Sequence, residues 1–155
     1  MSFAPLPLTS DFLFRIEILV EGSTGLPTPV GERRVGLLKS GRFHGPVANG
    51  VVLPGGADWM LTGSDGATRL DVRAMLRADD GQLIAITYTG LRAGPPEVLA
   101  RIAAGEVVDP ATYYMRTAIR FETGPGPLEW LNRVLAVAVG QRPPQGPIYD
   151  VYAIL

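Results

Sequence analysis

The chain has no cysteine, one histidine (His44) and one lysine (Lys39) among its 155 residues. The first absence excludes disulfides, thiolate zinc sites and cysteine nucleophiles. A single histidine excludes metal sites built on two or three. No run approaches the roughly 18 apolar residues a helix needs to cross a bilayer, so no membrane partner is expected. The opening MSFAPLPLTSDFLF lacks the cationic region and continuous apolar core of a signal peptide, so the expected compartment is the cytoplasm. Positive charge is not in excess either. Lys plus Arg number 14 against 15 Asp plus Glu, a net charge of -1, which argues against a nucleic-acid partner. No phosphate-cradling G-x-x-x-x-G-K-[ST] occurs, nor a glycine-rich turn inside a βαβ unit. No carboxylate loop for Mg or Ca is recognisable, and no cofactor is expected.

What is present is a hydrophobic fraction of 46% with 19% charged residues, enough for one packed domain over residues 1–155. Thirteen of the cations are arginines. Arginine dominance suits carboxylate or phosphate recognition, and it follows equally from a GC-rich coding sequence.

Glycines and prolines punctuate short apolar runs throughout, the pattern of an all-β chain. After a proline-containing lead-in (residues 1–10), residues 11–21 alternate. Phe12, Phe14, Ile16, Ile18 and Val20 share one face, with Arg15, Glu17 and Glu21 on the other. Further strands are expected at 33–40, 50–53, 58–63, 68–78, 82–91, 113–122, 131–139 and 147–155. In the stretch 69–77, Leu70, Val72, Ala74 and Leu76 oppose Arg69, Asp71, Arg73, Met75 and Arg77. Asp79-Asp80-Gly81 supplies the following hairpin turn, since Asp-Gly tolerates positive φ. One helix is expected at 95–105, opened by two prolines and closed by Gly105. The expected fold is an antiparallel closed β-barrel of about 8–10 strands with one short helix, because closure leaves no apolar edge strand exposed.

Several segments carry a more specific signal. They are G-E-R at 31–33, S-G-R-F-H-G-P at 40–46, V-L-P-G-G-A-D-W at 52–59 and L-D-V-R at 70–73. Then come A-D-D-G at 78–81, Y-M-R-T at 114–117, F-E-T at 121–123 and E-W-L-N at 129–132. In this order they resemble the uncharacterised-protein family 0311, also called domain of unknown function 3237. The resemblance implies a compact β-barrel with a central cavity, somewhat like the lipid-binding calycin barrels, and implies no particular activity. Met115 stands where the family carries an aromatic, and Ser40 where it often carries glycine.

The candidate site residues are polar groups on otherwise apolar strands. In 113–122 one face is Tyr113, Met115, Thr117, Ile119 and Phe121; the other is Tyr114, Arg116, Ala118, Arg120 and Glu122. An interior Arg116 would have to meet a carboxylate, a carbonyl or a ligand anion, with a salt bridge to Asp58 or Asp71 as the structural alternative. Asp58, closing G-G-A-D-W, reads as a general base or acid with a shifted pKa, or as a cap for turn amides. Asn132 reads as an amide donor to a ligand carbonyl, or as a turn cap. Asp71 and Arg73 form either a surface pair or part of the lumen. Tyr88 and Tyr114 offer hydroxyls to orient a carbonyl, and Trp130 a stacking face or a barrel floor. His44 reads as a loop residue.

Asp58, Arg116 and Asn132 are thus the catalytic candidates. Arg73, Tyr88, Tyr114, Trp130 and Asp71 are the substrate-binding ones. The leading expectation is a cofactor-independent enzyme acting beside a carbonyl: a lyase, hydratase, isomerase or cyclase. A non-catalytic carrier or sensor of a small apolar or aromatic acid uses the same cavity, and a barrel filled by its own side chains would serve neither. The expected partner is a small organic ligand, and a homodimer remains open.

Overall fold

The computed structural model describes residues 3–155, so residues 1 and 2 of the lead-in lie outside the described residues. Nine strands form one antiparallel sheet. They are β1 (Ser10–Thr28), β2 (Gly31–His44), β3 (Gly50–Val52), β4 (Ala57–Thr62), β5 (Thr68–Ala78), β6 (Leu83–Ala93), β7 (Tyr114–Thr123), β8 (Ala136–Gln141) and β9 (Ile148–Ile154). The order is β1-β9-β8-β7-β6-β5-β3-β2-β4, with further pairings β1–β2 and β4–β5. β1 therefore has a hydrogen-bonded neighbour on each side. One α-helix, α1 (Pro96–Ala103), follows β6. No helix among the described residues is long and apolar enough to cross a membrane.

Short strands β3 and β4 share one position in the sheet. β3 pairs with Gly41–Phe43 of β2 and with Leu76–Ala78 of β5. β4 pairs with Glu32–Leu37 of β2 and with residues of β5 between Thr68 and Arg73. The Pro54-Gly55-Gly56 turn breaks the strand between them, and Gly55 takes φ +104°, open to glycine at no steric cost.

The alternation in β5 holds residue by residue, with Leu70, Val72 and Leu76 inward and Arg69, Asp71, Arg73 and Arg77 outward. In β1 it does not. A register shift between Phe12 and Phe14 inserts an extra residue, so Leu13 and Phe14 are both buried. Phe12 is turned to the outer face and lies 5.4 Å from the Tyr152 ring. A bulge of this kind shifts the inward parity by one. The expected strand over 131–139 also begins later. Residues Glu129–Arg133 form a 3₁₀ turn, and β8 starts at Ala136.

The inner face is packed solid at one end. Phe14 meets Phe43 edge-on at 5.3 Å and Phe121 at 6.1 Å, and Leu76, Ile84 and Leu131 complete the plug. Each such side chain contributes about 1.5–3 kcal/mol by leaving water. The other end, where β6 finishes and β7 begins, is hollow.

Candidate functional site

The hollow end encloses a cavity of about 630 Å³, within the range of small-molecule sites. Its apolar wall comes from inward positions of β1, β2, β5 and β7, among them Ile18, Leu38, Leu70 and Met115. Glycine and threonine at other inward positions leave the space open. At Gly140 an added Cβ would lie 2.7 Å from Met115 Cγ and 3.0 Å from Tyr149 Cε1, so only glycine lets those two side chains stand in the wall. Helix α1 lies across the mouth. Pro95 and Pro96 start it, and its Leu99 and Ile102 face the cavity.

The polar side chains of its lining include Asp58 from β4, Tyr88 and Arg92 from β6, Arg142 just after β8, and Tyr149 from β9. Burial pushes the Asp58 carboxyl up to about 6, only partly offset by the Asp71 backbone N–H and the charge of Arg92. The Asp71 N–H donates to Asp58 Oδ1 at 3.2 Å, which holds the carboxyl while leaving its second oxygen for the cavity. Burial, and then the neighbouring Arg142 charge, lower Arg92 from the ordinary guanidinium value; Arg142 is lowered by its own burial. Both tyrosine hydroxyls are raised, chiefly by burial. Arg142 is anchored at its backbone, whose N–H donates to Tyr113 Oη at 2.7 Å, and its Nη1 donates to the Pro143 carbonyl. At the rim Arg34 and Glu32 pair with each other at 2.5 Å.

Of the residues singled out in the sequence, the structure brings Asp58 and Tyr88 into the cavity. It places the others elsewhere. Arg116 points outward from β7, its guanidinium 5.0 Å from the centre of the exposed Tyr114 ring, and it forms no salt bridge to Asp58 or Asp71. β7 turns its apolar face inward because the alternative would bury Arg116, Arg120 and Glu122 together. Asp71 and Arg73 lie on the outer face of β5. Asn132 is exposed and ties the 3₁₀ turn to β7. Its Oδ1 accepts the Thr123 N–H at 2.9 Å, and its Nδ2 donates to the Thr123 and Glu129 carbonyls at 3.0 and 2.9 Å. Trp130 borders a shallow outer depression with Phe12 and Leu155. His44 ends β2, with Nε2 3.5 Å from Glu17 Oε1.

Arg92, Arg142 and Tyr149 were not singled out, although a signal for each exists. Arg92 continues the inward parity of Ile84, Ile86 and Tyr88, but the expected strand stopped at residue 91. Arg142 extends the parity of Ala136, Ala138 and Gly140 one step past β8. Tyr149 shares its face with Val151 and Ala153. Among the described residues no cluster of three or more His, Cys, Asp or Glu is arranged to hold a metal ion.

The profile of DUF3237, a protein of unknown function, matches residues 8–154. A UPF0311 protein of Clostridium acetobutylicum is 37% identical over 125 residues, covering 81% of this chain and 79% of its own. The structure is similar to that of a conserved protein of unknown function from Rhodopseudomonas palustris, with a TM-score of 0.93, 31% identity and 97% and 100% of the two chains covered. A beta-barrel-like protein from Acinetobacter baumannii AYE aligns at a TM-score of 0.85 and 32% identity, over 99% and 100%. An enzyme from Penicillium herquei shares the fold at a TM-score of 0.76 and 21% identity, over 100% of both chains.

Proposed function

This chain belongs to the DUF3237 family of proteins of unknown function, and from that premise we propose that it is a small-molecule-binding β-barrel acting without a cofactor beside a carbonyl. The reaction class is that of a lyase, hydratase, isomerase or cyclase. Pairing of β1 with both β9 and β2 supports a closed, calycin-like barrel around the cavity. One observation carries the reading: a mostly buried carboxyl, Asp58, poised at about 6 on the same wall as two protonated phenols and two guanidinium groups.

The geometry fits proton transfer next to a C=O. Asp58, ionised above its pKa, takes a proton from the adjacent carbon, and the bonding pair moves onto the carbonyl oxygen. Tyr88 and Tyr149 donate to that oxygen, while the arginines stabilise the negative charge in a recess with a partly apolar lining. The proton then returns from Asp58 to carbon or to a leaving group. The likeness to a fungal enzyme supports only that such a fold can serve catalysis.

The test is solvent-deuterium exchange, followed by NMR, into the C–H next to the carbonyl of a panel of aryl ketones and keto acids. Wild-type protein is expected to catalyse exchange and Asp58→Asn to lose it while still binding the same compound. Undiminished exchange in Asp58→Asn removes the proposed base. Binding without exchange in the wild type replaces the enzyme by a carrier of the same ligand.

A further inference from the structure

Two guanidinium groups reach the cavity from separate elements, Arg92 near the end of β6 and Arg142 in the segment leaving β8. Neither forms a salt bridge among the described residues, although Arg15, Arg42 and Arg101 each hold a carboxylate at 2.7 Å. Both are half-buried, a costly place for a cation that lacks a full counter-charge, and Arg92 lies within the field of Arg142. Their surroundings offset them only in part. Tyr88 and Tyr149 are held protonated by burial, Glu32 is engaged by Arg34, and Asp58 is the one remaining acid whose charge acts on both. The cavity wall is thus left with an unmatched positive charge beside an apolar chamber. A destabilising arrangement of this kind persists where a ligand completes it.

We propose that Arg92 and Arg142 form the anion-recognition pole of the cavity and that its occupant is a small monocarboxylic acid. The planar guanidinium offers a two-pronged match to a carboxylate. The body of the ligand lies against Leu38, Met60 and Met115, which favours an aromatic or branched aliphatic skeleton. A dianion is disfavoured because Asp58 shares the wall. The Tyr113 hydroxyl, by holding the Arg142 backbone, acts as a positioning residue. This inference rests on the ligand-filled cavity proposed above but not on proton transfer by Asp58.

The experiment is calorimetric titration at pH 7 with benzoate and cinnamate, their neutral amides, and phenyl phosphate. The carboxylates are expected to bind saturably and the amides roughly 10- to 100-fold more weakly, the range of a charge-assisted hydrogen bond. Arg92→Met and Arg142→Met are each expected to lose a similar factor with an unchanged or raised Tm, since removing one of two half-buried cations that share a single acid relieves repulsion. A purely structural arginine would instead lower Tm. The acid–amide comparison uses the unaltered protein, so it decides even where a variant fails to fold. Amides binding as well as acids, no binding of either carboxylate, or tighter binding of phenyl phosphate each overturns the proposal. Benzoate binding retained in Asp58→Asn, with no deuterium exchange in the wild type, removes the catalytic reading and leaves this one standing.

Discussion

The ring of Tyr88 meets that of Tyr149 edge-on, with centroids 5.3 Å apart and planes at 65°. The two tyrosines belong to β6 and β9, which are separated in the sheet by β7 and β8. Their contact therefore spans the inside of the sheet rather than running along a ladder. It closes the cavity on the side of the aromatic plug and keeps two protonated hydroxyls at the boundary between packed core and open space.

Replacing Tyr149 by Phe keeps the ring contact and removes one hydroxyl. If that hydroxyl donates to the developing oxyanion, kcat falls roughly 100-fold with little change in KM. Stability changes little. Steady-state kinetics alongside a thermal melt separate the two, and an equal rise in KM would assign the hydroxyl to ground-state binding instead.

Asp58 makes stability depend on pH. Its pKa is 3.8 as a reference value and about 6 when folded, so between those values the native state holds a proton that the unfolded chain has released. The native state is therefore favoured below pH 3.8, and this advantage is lost as pH rises through 6. The full difference corresponds to about 3 kcal/mol. Asp58→Asn should raise stability by up to that amount at pH 7–8 and by almost nothing at pH 4. Urea denaturation across this range tests the sign, and a gain independent of pH would contradict it.

Asn132 and Arg116 are expected to matter for the scaffold and not for the ligand. Asn132→Ala removes the bonds that clamp the 3₁₀ turn to Thr123 and should cost about 1–2 kcal/mol. Arg116→Ala loses an exposed contact with Tyr114 and should cost under about 1 kcal/mol. Ligand affinity measured on both variants should equal that of the wild type; a tenfold drop in either would return that residue to the site.

Thr117 is buried on the inner face of β7, and its hydroxyl has no hydrogen-bond partner among the described residues. Valine has nearly the same shape and no group to leave unpaired. Thr117→Val should therefore stabilise the protein by about 1 kcal/mol, seen as a raised Tm in calorimetry. A lowered Tm would show that the hydroxyl is satisfied.

Strand number, the hairpin at Asp80-Gly81 and the helix after β6 were legible because each rests on local chemistry. Period-two alternation, a turn that needs positive φ and a pair of opening prolines act within a few residues. Asp58 and Tyr88 were legible for a related reason. The first follows a double-glycine break that leaves a polar residue on a short strand, and the second sits among inward isoleucines. Arg116 misled because alternation identifies two faces without saying which is inner. The residues alone leave either face free to be inner, and the cost of desolvating three charges decides for the apolar one.

The sequence alone determined the all-β class, the approximate strand positions and the absence of cysteine and multi-histidine chemistry, since these depend on residue identity and nearest neighbours. Only the tertiary structure decided which arginines share a chamber. Arg92 and Arg142 are 50 positions apart, and their adjacency depends on how far β6 and β8 run before turning. Such proximity is set by sheet register and by a single bulge or strand end, which shift which side chains face inward while leaving the local pattern unchanged.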